Sequence, residues 1–275
     1  NSSWASMFPL RRAPAGAAGI RVRNFSPALV PTRRASGGGA GGAARDAGHH
    51  VTVLTGRPLV AARDYLEQLA IDLPHSVNHG STILDGDGSL IARKHLDPAD
   101  VATLLNSRLP DTGLEFSCVV HETIYVRDPA HERWTFAHAQ GRVVSRYSSD
   151  LVLDADKLVF HSNGQSQRLE AELTTSHPHL LRYVWGDGYF EIVPTDGDKG
   201  SALRLISERL GVARRDVVAF GDGQNDLTMI KWAGRSVAVG DDVFPDVLAA
   251  AHEHIASPEM GGVARWIEEN VLDRR

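Results

Sequence analysis

The stretch that decides the fold is Val217-Val218-Ala219-Phe220-Gly221-Asp222-Gly223-Gln224-Asn225-Asp226. Four apolar residues in succession have the length and composition of a strand buried on both faces. The glycines after them free the backbone for a tight turn. A helix is expected to follow near Asn225–Ala233, so Asp222 and Asp226 meet at one loop–helix junction.

The same alternation extends outward in both directions. Strands are predicted at Tyr189–Val193, Ser236–Val239 and His254–Ser257, with helices over Phe244–Ala251 and Val263–Leu272. Upstream, Gly200–Leu210 places Ala202, Leu203, Ile206 and Leu210 on one helical face, and Gly211 stops it. Val51–Leu54 is a further buried strand, followed by a helix over Pro58–Leu69 with proline in its first turn. Strand–helix alternation demands right-handed crossovers. It therefore predicts an α/β fold whose core is a Rossmann-like parallel sheet. In such sheets ligands sit outside the carboxyl ends of the strands.

Residues 81–185 read differently. Short alternating runs at Ser81–Leu84, Leu90–Ala92, Leu114–Val119, Thr123–Val126, Leu151–Leu153 and Leu158–His161 are separated by turns, with a helix over Pro98–Leu105. This is an α+β block inserted into the alternating core. The expected organisation is an atypical segment over 1–47, a core over 48–80 and 186–275, and an inserted domain over 81–185.

The 275 residues are 42% hydrophobic and 23% charged, as in an ordinary folded protein. Apolar runs fall far short of the roughly 20 residues of a membrane span. The single cysteine, Cys118, excludes an internal disulfide framework and a cysteine-rich zinc site. A net charge of -5 argues against nucleic-acid binding through overall charge. The averages hide a break: residues 1–45 hold seven arginines and no acid, while all 34 acidic residues follow. That first segment is rich in Ala, Gly, Arg and Pro. It reads as low complexity without an apolar helical stripe, its Gly37–Gly42 tract as flexible filler. Ile20, Val22 and Phe25 alternate weakly, enough for one short strand.

Four segments fall at carboxyl ends of strands. Thr55-Gly56-Arg57-Pro58 offers a hydroxyl and backbone N–H groups ahead of a helix, which suits an anion. Lys199, in Asp198-Lys199-Gly200-Ser201, has the wrong sign for a helix N-terminus unless an anion shares the place. Asp222 and Asp226 supply hard oxygen ligands suited to Mg²⁺. Asn78-His79-Gly80 stands at the entrance to the inserted block. Taken singly, the first, second and fourth also read as ordinary polar turns. Two similar spellings are excluded: Asp85-Gly86-Asp87-Gly88-Ser89 is a hairpin turn between two strands, and Asp154-Ala155-Asp156 is a connection. Neither His121-Glu122 nor His131-Glu132 continues into a metalloprotease helix.

Together these segments resemble the haloacid dehalogenase-like superfamily, specifically its Cof-type phosphatases of class IIB, from about Gly48 to Leu272. Thr55 resembles the second motif, Lys199 the third, and Asp222 with Asp226 the fourth. The resemblance implies a cytoplasmic, Mg²⁺-dependent hydrolase of small phosphorylated metabolites, often sugar phosphates, with no nucleic-acid or membrane partner. It implies Lys199, Thr55 and Asp226 as catalytic groups, and Asp222 and Asp226 as metal groups. Thr55, Gly56, Arg57, Lys199, Asn78 and Asn225 would bind substrate, and block 81–185 would be the cap.

The family's nucleophile, in Asp-x-Asp-Gly-Thr, belongs 30–40 residues before the second motif. Here that window, about residues 15–25, has no carboxylate. A frame shifted over residues 10–44 accounts for this in a GC-rich gene, and resequencing tests it. The expectation is a phosphatase by descent with turnover near background. The alternatives are a non-catalytic binder of phosphorylated metabolites, or a damaged product with exposed sheet edges.

Overall fold

The computed structural model describes residues 25–31, 39–111, 113–162, 166–185 and 188–272. These residues form two compact units, one built from residues up to Arg93 together with Gly197 onward, the other inserted between them over Lys94–Asp196.

The first unit is built on an eight-stranded sheet. Its strands are β1 (Phe25–Pro31), β2 (His49–Thr55), β3 (His75–Val77), β4 (Thr82–Leu84), β5 (Leu90–Arg93), β12 (Val218–Gly221), β13 (Arg235–Val239) and β14 (Glu253–Ile255). Their order across the sheet is β14-β13-β12-β1-β2-β3-β4-β5. The pairs β12/β13, β13/β14 and β2/β3 are parallel, as the alternation predicts. Helices α1 (Gly39–Asp46), α2 (Leu59–Gln68), α6 (Lys199–Arg209), α7 (Leu227–Trp232), α8 (Pro245–Ala250) and α9 (Gly262–Ile267) complete this unit. Leu54, Leu203, Ile206, Ala219 and Met229 fill one part of the core, and Val53, Ala62, Phe220 and Trp266 another.

Three expectations about this unit are revised or located by the structure. The Gly37–Gly42 tract is not filler: from Gly39 it is helix α1, whose Ala44 is fully buried in the core cluster with Val51 and Trp266. Small side chains allow this close approach, so the helix needs no bulky apolar stripe. The short strand lies at Phe25–Pro31, the predicted residues 20–24 being outside the described ones. It occupies the place between β2 and β12 and runs antiparallel to both. It pairs along all seven residues with β2 but at only Ala28 and Leu29 with β12. Proline has no N–H to give a ladder, and Pro27 and Pro31 flank that short pairing. Third, the core sheet continues past residue 80, because β3, β4 and β5 form an antiparallel meander. The Asp85–Ser89 segment is its turn: the Gly88 N–H donates to Asp85 O at 2.9 Å.

The inserted unit is a six-stranded sheet with helices. Its strands are β6 (Leu114–Val120), β7 (Thr123–Val126), β8 (Val143–Arg146), β9 (Lys157–Ser162), β10 (Leu181–Val184) and β11 (Tyr189–Val193). They are ordered β10-β11-β9-β6-β7-β8. Helices α3 (Pro98–Asn106), α4 (Thr135–Ala139) and α5 (Ser166–Ser176) accompany them. Tyr189–Val193 pairs with β9 and β10 here, not with the core sheet as the alternation suggested. Leu151–Leu153 forms no strand. Leu104, Phe116, Leu158, Phe160 and Phe190 form the main core of this unit.

Candidate phosphate and metal site

Thr55 ends β2 with its side chain fully buried. Its Oγ1 accepts from the Arg57 N–H at 3.1 Å, which curls the chain into a turn before α2. Arg57 lies over the Tyr65 ring, 5.2 Å from its centroid, and burial lowers its pKa. The Arg57 carbonyl accepts from the Asn78 N–H at 2.8 Å, so the Thr55 turn and the Asn78 turn are stitched together.

Asn78 and His79 both have left-handed backbones, with φ 49° and 66°. Such conformations are uncommon outside glycine and persist only where the surroundings over-determine them. Gly80, at φ 109°, allows a still closer approach: a Cβ there would stand 2.3 Å from the Asp198 carbonyl oxygen. This contact joins the Asn78 turn to the start of α6.

Asp198 caps α6. Its Oδ1 accepts from the N–H groups of Gly200 and Ser201 at 2.8 and 3.1 Å, and its Oδ2 from Ser201 Oγ at 2.7 Å. With its helix start satisfied, Lys199 turns its fully buried amine to Asp226 Oδ1, 2.5 Å away. Asp226 Oδ2 accepts from the N–H groups of Asp222 and Gly223, each at 3.0 Å. Gly221 makes room, since a Cβ there would meet Asp226 at 2.6 Å.

Four sequence segments thus converge through a chain of contacts. Gly56, next to Thr55, abuts His79, and His79 meets Asn225. Gly80 abuts Asp198, and Lys199 meets Asp226, which holds the Asp222 loop. Every predicted residue of the set — Thr55, Gly56, Arg57, Asn78, Lys199, Asp222, Asn225 and Asp226 — belongs to this cluster. Two further contributors, Asp198 and His79, lie inside the predicted segments, though neither is given a role of its own there. Asp198 carries a legible signal, an acid followed three residues on by serine at a helix start. His79 falls in the Asn78-His79-Gly80 segment, but its partners Gly56 and Asn225 come from separate turns and are not legible from sequence.

The electrostatics favour a cation and an anion together. Burial, then the negative charge of Asp226, push the Asp222 carboxyl up to about 7, against the pull of Lys199. The Asp226 oxygens accept from Lys199 and two N–H groups, and Asp222 is the less buried carboxylate of the two. Among the described residues no three His, Cys, Asp or Glu side chains cluster as a metal cage. Mg²⁺ does not require one, since it keeps several waters and takes one or two carboxylates plus phosphate oxygens. The donor set fits that ion. A lysine, an arginine, a hydroxyl and turn N–H groups can orient and neutralise a phosphoryl group.

The Rossmann-like sheet carries Thr55 at the end of β2 and the Asp222–Asp226 loop after β12, with Lys199 at the start of α6 beside that loop. The chain belongs to the haloacid dehalogenase-like hydrolases, whose family model matches residues 41–267. It is 26% identical over 239 residues to 5-amino-6-(5-phospho-D-ribitylamino)uracil phosphatase YitU of Bacillus subtilis, covering 82% of this chain and 86% of that one. It is 27% identical over 209 residues to the HMP-PP phosphatase of an Enterobacter species, covering 72% and 74%. The fold is shared with the subclass IIB sugar phosphatase BT4131, with a TM-score of 0.71, 20% identity, and 84% and 88% of the two chains covered.

Proposed function

We propose that this chain binds small phosphorylated metabolites, sugar phosphates among them, at a Mg²⁺-dependent phosphomonoester site, and that its turnover is near background. The observation that carries the reading is the contact chain linking Thr55, Lys199, Asp222 and Asp226. Two relatives named as phosphatases of small phosphorylated compounds support the ligand class.

Each residue has a role in this reading. Thr55 Oγ1, the Gly56 N–H and the Lys199 amine hold phosphate oxygens, with Arg57 and Asn78 lining the approach. Asp222 would hold Mg²⁺, and Asp226 would orient its water shell while fixing Lys199. Mg²⁺, when bound, offsets charge on the phosphoryl group. The inserted unit would act as a cap that selects the substrate and excludes water.

Covalent hydrolysis through an aspartyl-phosphate also needs an attacking carboxylate. Residues 1–45 hold no acid, and β1, which fills the sheet beside β2, has the sequence Phe-Ser-Pro-Ala-Leu-Val-Pro. The groups on hand stabilise charge without forming the phosphoenzyme. Calorimetry with glucose 6-phosphate, with and without Mg²⁺, is paired with a phosphate-release assay on the same samples. Mg²⁺-dependent binding with background release is expected. Rapid Mg²⁺-dependent release would overturn the inactivity, and absence of any binding to a panel of sugar phosphates would overturn the site.

A further inference from the structure

His79 is 2% exposed and holds a left-handed backbone at φ 66°. Its ring lies directly against Gly56: a Cβ on that glycine would meet His79 Cε1 at 2.4 Å, Nδ1 at 2.8 Å and Nε2 at 3.0 Å. The same ring reaches the metal loop, with Nδ1 3.0 Å from Asn225 Nδ2. Asn225 is 1% exposed, and its Oδ1 has no hydrogen-bond partner among the described residues. One imidazole therefore bridges the turn after β2 and the turn after β12.

A buried amide has two different ends, and a single hydrogen bond decides which end faces the ligand. With one end of Asn225 on His79 Nδ1, the other end is left for a bound group. A buried polar atom without a partner is costly in the free protein. A ligand that supplies the partner recovers that cost on binding. A strained backbone at a fully enclosed histidine, in contact with both turns, fits a built positioning device better than a packing accident.

We propose that His79 is a positioning residue of the phosphate subsite. Its Nδ1 sets the orientation of the Asn225 amide, and its ring holds the Thr55-Gly56-Arg57 turn at a fixed distance from the Asp222–Asp226 loop. The inference rests on the phosphate-site reading above and adds to it the residue that couples the two halves.

The test measures binding of inorganic phosphate in Mg²⁺ by calorimetry to the wild-type chain and to His79→Phe, His79→Gln, Asn225→Ala and the His79→Phe/Asn225→Ala double variant. Phenylalanine keeps a flat ring over Gly56 and removes only the nitrogens. Glutamine restores a polar end for Asn225. Losing one buried hydrogen-bonded orientation predicts about a tenfold weaker affinity for His79→Phe. His79→Gln should recover most of it. The double variant should bind no more weakly than Asn225→Ala, because both changes remove the same orientation. Thermal melts of each variant check folding, and a wild-type-like melt with tenfold weaker binding separates positioning from a structural role. Wild-type affinity in a folded His79→Phe overturns the inference, as do additive losses in the double variant. Failure of the wild-type chain to bind phosphate overturns the underlying reading, and this inference with it.

Discussion

The Lys199 amine lies 2.5 Å from Asp226 Oδ1, and neither side chain is reached by solvent. A charge pair this deep has given up its hydration, so its worth to stability depends on completeness. Completeness is provided by the loop: the N–H groups of Asp222 and Gly223 occupy the second Asp226 oxygen. The pair therefore ties the start of α6 to the loop after β12.

Removing one partner should be severe. Lys199→Met leaves a buried carboxylate without its cation, and a cost of about 3–5 kcal/mol is expected. The Lys199→Met/Asp226→Asn double variant should be less destabilised than the sum of its single changes, because no lone charge is left. Urea midpoints at constant slope check both. An additive double variant would show that the two groups do not interact.

The Asp222 carboxyl gives a pH dependence. Its pKa is raised in the fold, by burial first and Asp226 second, from 3.8 to about 7. Between those values the folded chain binds more protons at this group than the unfolded chain does. Its contribution to stability therefore falls as pH rises from about 4 to 7 and then levels off. A bound divalent cation should offset that loss. In chelator, melting temperature should fall between pH 5 and 8, and Asp222→Asn should flatten the fall. Added Mg²⁺ should raise the wild-type melting temperature more at pH 8 than at pH 5.5, and leave Asp222→Asn unmoved. An equal Mg²⁺ effect in Asp222→Asn would remove this carboxylate from the metal site.

Much of the core was legible in the chain because local rules and tertiary packing agree there. Val217–Phe220 is apolar throughout, Val51–Leu54 has Thr52 as its one polar residue, and the sheet buries all of these side chains but the half-buried Val218. Asp222, Asp226 and Lys199 could be placed because each sits where a strand ends or a helix begins, which periodicity locates. The 189–193 run failed that logic. An apolar strand carries no mark of which sheet it joins, and this one pairs with β9 through long-range partners. Helix α1 was hidden for a different reason: glycine and alanine have little local pattern, and only the neighbours that bury Ala44 reveal the helix. The Asn78-His79-Gly80 turn could be located, but the bridging contacts of His79 could not, because its partners, Gly56 and Asn225, come from separate turns.

Gly80 has the narrowest clearance at the site. Its φ of 109° disfavours any side chain, and a Cβ would stand 2.3 Å from the Asp198 carbonyl oxygen. A backbone atom cannot swing aside, so Gly80→Ala must move either the Asn78 turn or the start of α6. A cost of about 2–3 kcal/mol is expected, combining backbone strain and overpacking. Phosphate affinity should fall as well, since the same shift parts Asn78 from Lys199. A melt and a phosphate titration check this, and Gly80→Ala with wild-type values in both would show the contact to be soft.

The inserted unit holds a second buried ion pair whose partners can be read optically. Lys157 Nζ is 3.0 Å from Glu191 Oε1, and both side chains are 4% exposed. The other oxygen, Oε2, accepts from Trp185 Nε1 at 3.0 Å. Glu191→Gln keeps the shape of the carboxylate but withdraws its charge, leaving Lys157 with a much weaker partner. A loss of about 3 kcal/mol follows if the lysine stays charged. Withdrawing a negative charge from the indole N–H also changes the electric field at that ring, so the Trp185 emission should shift in the folded protein. Comparison of Glu191→Gln with Glu191→Gln/Trp185→Phe isolates the signal from the four other tryptophans, and a Lys157→Met/Glu191→Gln variant should regain part of the stability. Unchanged emission together with an unchanged melt would show that Glu191 contributes neither charge nor orientation to this sheet.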